Sequence, residues 1–129
     1  MLLTVDVGNT NLTIGLFADG RLIRRWRVRT DLRRSSEWYA RRLRCAPHPE
    51  AVIYGSVVPR LDAVISAAVR KAFGLKAVAV TPRSRLGLKL KIKTPGQAGA
   101  DRILNALALT ILFGGPAIAI DFGTATALV

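Results

Sequence analysis

Two short stretches of this 129-residue chain carry residue types that suit chemistry on phosphate. The first is Asp6-Val7-Gly8-Asn9-Thr10-Asn11, set between an apolar run at 2–5 and an alternating run at 12–17. It reads as strand, tight turn, strand, with a carboxylate at the tip of the first strand. Gly8 and Asn9 tolerate positive φ, so the turn is expected to close sharply and to aim backbone N–H groups and the Thr10 hydroxyl into one space. Donors gathered in such a concavity hold polyanions, nucleotide phosphates among them. A lone aspartate beside them suits a hydrated Mg²⁺, which takes one or two carboxylates together with phosphate oxygens. An ordinary hairpin with a polar turn is the alternative for this hexapeptide. The second stretch, Asp121-Phe122-Gly123-Thr124-Ala125-Thr126, repeats the device: an apolar run at 117–120 ends in Asp-x-Gly followed by threonine. Two such turns facing each other across a cleft would grip a phosphate chain from both sides.

A third stretch, Gly99-Ala100-Asp101-Arg102, opens an apolar-periodic helix. A helix N-terminus favours a carboxylate, so Asp101 is placed to orient an attacking hydroxyl and accept its proton. Arg102 offers a planar fork that suits a substrate carboxylate. On spacing alone the pair also fits an N-capping aspartate beside a surface arginine.

The elements that must position these residues follow in order. A second alternating run at 22–28 adds a third strand after the Asp19-Gly20 turn, a two-residue hairpin signal. Ser35 is expected to cap a helix of about ten residues running through Arg44, with Glu37 in its first turn. The Cys45-Ala46-Pro47-His48-Pro49 stretch breaks that helix, and His48, the only histidine, reads as exposed loop rather than catalyst. Residues 51–54 form a buried strand ending at Gly55-Ser56. Pro59 then begins a helix whose apolar residues Leu61, Val64, Ile65, Ala68, Val69 and Ala72 keep the helical period, closed by Gly74. Residues 76–80 give another strand. In 86–92, leucines and Ile92 alternate with lysines and Gly87, as in a half-exposed strand or extended crossover. The helix after residue 99 presents Ile103, Leu104, Leu107, Ala108, Ile111 and Leu112 on one face and stops at Gly114-Gly115-Pro116. The βββαβαβ order that results says α/β with a mixed sheet.

Composition narrows the classes. Half the residues are apolar, and a chain of this length buries roughly two-thirds of its unfolded surface, enough for one real core. No apolar run approaches the ~20 residues of a membrane span. The start lacks the basic region of a signal peptide, and Cys45 is the single cysteine. Together these favour the cytoplasm. The net charge is +12, with arginines crowded between Arg21 and Arg44 near Trp26, Trp38 and Tyr39. Such a patch suits nucleic acid, but Arg25, Arg27 and Arg29 alternate with apolar residues. They therefore read as a solvated strand face that also attracts anionic substrates.

Taken together, Asp6 to Asn11, Gly55-Ser56-Val57-Val58-Pro59, Gly99-Ala100-Asp101-Arg102 and Asp121 to Thr126 stand in an order that resembles type III pantothenate kinase. The resemblance runs over 1–129 and implies a ribonuclease H-like/actin-like ATPase fold. Residues 1–95 would form the first α/β domain with its phosphate-binding hairpin. Residues 96–129 would supply the base-bearing helix and the opening strands of a second such domain. It implies ATP-dependent phosphorylation of pantothenate at its 4′-hydroxyl, the entry step of coenzyme A synthesis. It further implies ATP contacts at Asp6, Val7, Gly8, Asn9, Thr10, Asn11, Leu12, Thr13 and Thr124, with Mg²⁺ near Asp6. Asp101 would be the catalytic base, and Gly99, Ala100, Asp101 and Arg102 the pantothenate contacts. Asp121 would ligate a monovalent cation, K⁺ or NH₄⁺. The family's members are homodimers whose pantothenate pocket borrows residues from the partner.

Four departures accompany the resemblance. The family's Asn-Pro-x-Glu before the base motif is replaced by Thr94-Pro95-Gly96-Gln97, and an aromatic just before it by Ile92 and Lys93. The third threonine of the second phosphate motif is Ala127. The sequence stops at Val129, where the family continues through a second α/β domain, so 117–129 would be a hydrophobic, largely unpaired hairpin. A truncated or split form is therefore expected, covered by self-association or by a missing C-terminal half. The competing reading is a non-catalytic relative that binds a partner or nucleic acid through its arginine face. A third is another phosphotransferase or phosphohydrolase of the same superfamily.

Overall fold

A computed structural model describes residues 1–129 apart from 90, 95, 97 and 123–125, and apart from the side chain of Ala127. The chain divides into two compact units, Met1–Ala79 and Val80–Val129.

The first unit opens with a meander, β1 (Leu2–Val7), β2 (Asn11–Ala18) and β3 (Arg21–Arg29), followed by α1 (Ser36–Leu43), β4 (Ala51–Ser56) and α2 (Pro59–Phe73). With β5 (Val78–Val80) the strands form one sheet in the order β3-β2-β1-β4-β5. This is the expected βββαβαβ order. Asp19 and Gly20 sit at φ 49° and 73°, the paired left-handed geometry whose twist matches the two strands it joins. β1 pairs antiparallel with β2, Val7 opposite Leu12, and parallel with β4, Val7 beside Ser56.

Alternation divides the sheet into two faces. Leu3, Val5 and Val7 of β1, Leu12, Ile14 and Leu16 of β2, Val28 of β3, and Val52 and Tyr54 of β4 are all buried. They share one core with Tyr39, Ala40 and Leu43 of α1 and with Leu61, Ile65, Ala68, Val69 and Phe73 of α2. Both helices therefore cover the same side of the sheet. Ser35 caps α1 by accepting the Trp38 N–H, and Pro59 occupies the first turn of α2. Gly74 ends α2 at φ 71°, returning its N–H to the Arg70 carbonyl at 2.8 Å. His48 is exposed, as expected, with its ring nitrogens 3.0 Å from the Pro49 and Phe73 carbonyl oxygens.

The second unit holds α3 (Ala100–Phe113) and a two-stranded ribbon of β6 (Ile120–Phe122) and β7 (Thr126–Leu128). Ala100 and Ile103 of α3 are buried, whereas Ile111, Leu112 and Phe113 are about 70% exposed, so the expected apolar stripe is uncovered over its last turn. Ile118, Ile120, Phe122 and Leu128 are also exposed.

One expectation needs correction, and one loses an alternative. The strand expected at 76–80 is only Val78–Val80. In 86–92 exposure alternates from Leu86 to Lys89, yet no ladder forms among the described residues. Gly87 stands at φ 73°, outside the extended region that a strand needs.

Candidate functional site at the carboxyl edge of the sheet

β1 and β4 are parallel, and β3 runs with β1 because β2 lies antiparallel between them. The carboxyl ends of three strands thus meet along one edge. In open α/β sheets that edge, where neighbouring chains diverge, is the usual place for a ligand. Here it collects residues 8–11 after β1, residues 30–35 after β3, and Val57-Val58 before α2.

The turn is held from several sides. The Gly8 N–H donates to the Asn11 carbonyl at 3.1 Å. Thr30 donates twice, from Oγ1 to the Gly8 carbonyl at 2.7 Å and from its backbone N–H to the Thr10 carbonyl at 2.9 Å. From the other flank, the Val57 N–H reaches the Val7 carbonyl at 3.0 Å. Gly8 and Asn9, which tolerate positive φ, close the turn without adopting it. Among the described residues positive φ occurs at Asp19, Gly20, Gly74, Gly87 and Gly114. Glycine relieves a tight spot at position 8: a Cβ there would stand 3.0 Å from the Asn11 carbonyl oxygen. Because the Gly8 N–H is spent inside the turn, a ligand would meet the exposed tip, Asn9 and Thr10.

The remaining residues expected to contact a nucleotide divide by face. Val7 and Leu12 are fully buried, so only their main chain is available to a ligand. Asp6 and Thr13 stand opposite each other across β1 and β2 on the other face, with Asp6 exposed and Gly55 of β4 beside it. Asn11 begins β2. A single exposed carboxylate suits an ion that brings phosphate oxygens and water as its other ligands. Among the described residues no three histidine, cysteine, aspartate or glutamate side chains cluster as a preformed metal cage.

Beside the turn lies a cavity of about 620 Å³, lined by Asn9, Val58, Trp38 and the run Arg29-Thr30-Asp31-Leu32-Arg33-Arg34. The Asp31 carboxylate takes Arg33 Nε on one oxygen and Arg34 Nε on the other, each at 3.2 Å, and accepts the Arg33 backbone N–H at 3.0 Å. That backbone bond first, then the two guanidiniums, holds its carboxyl below the usual carboxylate range. Sequence reasoning missed this wall, reading the arginines as one solvated face. The available signal was the break in alternation after Arg29, where Thr30-Asp31-Leu32-Arg33-Arg34 leaves the strand pattern.

In the second unit, Gly99 is the N-cap of α3, and Ala100, Asp101 and Arg102 form its first turn. Asp101 Oδ1 accepts the Arg102 N–H at 2.8 Å, which steadies the carboxylate at the helix start. The capping residue is thus Gly99, not the aspartate. Asp121 is exposed on β6, opposite Ala127. Thr124 lies outside the described residues.

Residues 2–129 match the family profile described as type III pantothenate kinase. The chain belongs to the type III pantothenate kinase family. Its five-stranded mixed sheet with helices is that of an actin-like ATPase N-terminal domain. Curated relatives named type III pantothenate kinase include one from Moorella thermoacetica, 39% identical over 98% of this chain and 53% of its own length. Another, from a Parafrankia species, is 46% identical over 98% of this chain and 51% of its own. The relative from Bacillus cytotoxicus is 37% identical over 98% and 51%. The chain spans about half the length of the curated relatives it matches. The matched range takes in the pinned turn, Gly99 to Arg102 and the 121–126 stretch.

Proposed function

We propose that this chain takes part in ATP-dependent phosphorylation of pantothenate at its 4′-hydroxyl, as a type III pantothenate kinase. The observation that carries the reading is the turn at residues 8–11, pinned by Thr30 at the carboxyl edge, in a chain of this family. Phosphoryl transfer needs positioning and charge neutralisation more than covalent work from the protein. Residues 6–13 hold the phosphate chain through the exposed tip and through main chain where side chains are buried, and Thr124 adds a contact from the second phosphate motif. Asp101 orients the acceptor hydroxyl and takes its proton as the oxygen bonds to the γ-phosphorus and ADP leaves. Arg102, with Gly99 and Ala100, binds the pantothenate end that carries a carboxylate. Asp6 holds Mg²⁺, which neutralises phosphate charge when bound, and Asp121 ligates K⁺ or NH₄⁺.

The same reading divides the chain at 95/96 into a first family domain and the start of a second. It makes the enzyme a cytoplasmic homodimer. Association is supported by the apolar residues left exposed on α3 and the ribbon.

The test is direct: incubate the chain with ATP, Mg²⁺, K⁺ and pantothenate and follow phosphopantothenate by mass spectrometry, with Asp101→Asn alongside. Product that vanishes with Asp101→Asn supports the assignment. Equal product from both proteins removes Asp101 as the base, and no product from folded protein removes kinase activity from this chain.

A further inference from the structure

We propose that the cavity beside the turn is a polyphosphate receptor, in which Arg29, Arg33 and Arg34 take the end of a phosphate chain whose other part lies on residues 9–10. The proposal deepens the kinase reading and rests on it for the ligand's natural identity, not for the existence of the site.

Size comes first: about 620 Å³ lies within the ~300–1,000 Å³ range of small-molecule sites. Charge comes next. Three guanidiniums and one carboxylate line the space, and the carboxylate is already committed. Asp31 engages only the Nε atoms of Arg33 and Arg34. Among the described residues neither Nη pair has a hydrogen-bond acceptor, and Arg29 has none at all. The wall is also built in advance. The buried Tyr39 phenol accepts the Asp31 N–H and donates to the Asp31 carbonyl, each at 3.0 Å, tying the loop to the core. Behind it, Arg34 lies 5.2 Å from the Trp38 ring centroid, with Arg42 on the same ring at 3.2 Å. Val58, also in the lining, is the N-cap of the 15-residue α2 and makes no side-chain cap bond, so the positive end of that helix adds to the field. A carboxylate has two oxygens and is satisfied by one guanidinium fork. Three forks contiguous with a phosphate-type turn call for an anion with more oxygens spread along a chain.

The experiment is calorimetric titration of the full chain with inorganic tripolyphosphate, with adenosine and pantothenate as separate arms. Arg29→Gln, Arg33→Gln and Arg34→Gln are compared with a control set that removes equal charge elsewhere, one position at a time, Arg21→Gln, Arg25→Gln and Arg70→Gln, all exposed positions. Arg33 is 89% exposed, so its variant should fold, and circular dichroism checks each protein. Arg29→Lys keeps the charge while losing the fork. Wild-type protein should bind tripolyphosphate and not adenosine. Each pocket variant should weaken binding about tenfold or more, the worth of a charge-assisted hydrogen bond, with Arg29→Lys intermediate and the control within about twofold of wild type. No binding by wild type overturns the proposal. So does a control that weakens as much as the pocket variants, which would reduce the effect to net charge. Arginine dependence confined to pantothenate overturns the phosphate assignment. The readout requires no turnover, so absence of kinase product would sink the catalytic reading and leave the pocket standing.

Discussion

At the scale of single residues, one side chain touches the backbone of the turn and another orders the pocket wall beside it. Thr30 supplies a partly buried 2.7 Å hydrogen bond to the Gly8 carbonyl. Thr30→Val should cost about 1 kcal/mol in urea unfolding and weaken tripolyphosphate binding, whereas Thr30→Ser restores both. Equal behaviour of the two variants would mean that the hydroxyl does not hold the turn. Asp31 gives a pH prediction. Its carboxyl is held below the ordinary 3.8, chiefly by the Arg33 backbone N–H and then by the Arg33 side chain. A depressed folded-state value stabilises the protein above the unfolded value and is lost as pH falls through the folded one. Carbon-13 NMR of the Asp31 carboxyl should therefore find its midpoint below 3.8, and Arg33→Gln should raise it. An unshifted midpoint would deny the latch. The sharp turn at Gly8 was legible, but what restricts a side chain there is the Asn11 carbonyl, not the sign of φ. Asp31 was not legible, because its importance comes from Tyr39 eight residues later and from an arginine pair that looks like surface charge.

At the scale of elements, periodicity and punctuation carried most of the information. Pro59 and Gly74 bracket α2, and the buried positions between them include Leu61, Ile65, Ala68 and Val69, as the 3.6 period requires. Gly74 sits at φ 71° with open space where a Cβ would be. Gly74→Ala should then cost about 1–2 kcal/mol from backbone conformation alone. Ile65, with no exposed surface, is the contrasting case: Ile65→Ala should cost about 2–5 kcal/mol through the cavity it leaves. Urea midpoints of the two variants test the ranking, and a larger loss from Gly74→Ala would refute it. The segment at 86–92 shows where pattern reading stops. Alternation there is genuine, but a strand also needs a partner, and Gly87 turns the chain out of the extended region.

For the whole molecule, the decisive fact is one that local patterns do not contain. The order β3-β2-β1-β4-β5 puts three carboxyl ends on one edge. β4 reaches β1 only after the meander and α1 have intervened, so the pocket's lining comes from residues 9, 29–34, 38 and 58. The pairing of Asp6 with its turn was readable in sequence; the arginine wall beside that turn required the sheet. The second unit carries its own prediction. With Ile111, Leu112, Phe113, Ile118, Ile120, Phe122 and Leu128 exposed, the protein should enhance the fluorescence of a hydrophobic dye at neutral pH. Serine at 111–113 should reduce the enhancement. No enhancement would mean that these side chains are covered in solution.

The Thr30 pin has a kinetic meaning as well. Both of its bonds join residues no more than 22 positions apart, inside the β1-β2-β3 meander. By contrast, the parallel pairing of β1 with β4 matches Leu2 to Ala51 and closes a much longer loop. Shorter loops close at lower entropic cost, and local contacts form sooner. The turn proposed to meet phosphate therefore belongs to the part of the sheet expected to assemble first, during synthesis as well as in refolding, and the later arrival of β4 and α2 adds the pocket's far side to a turn already shaped.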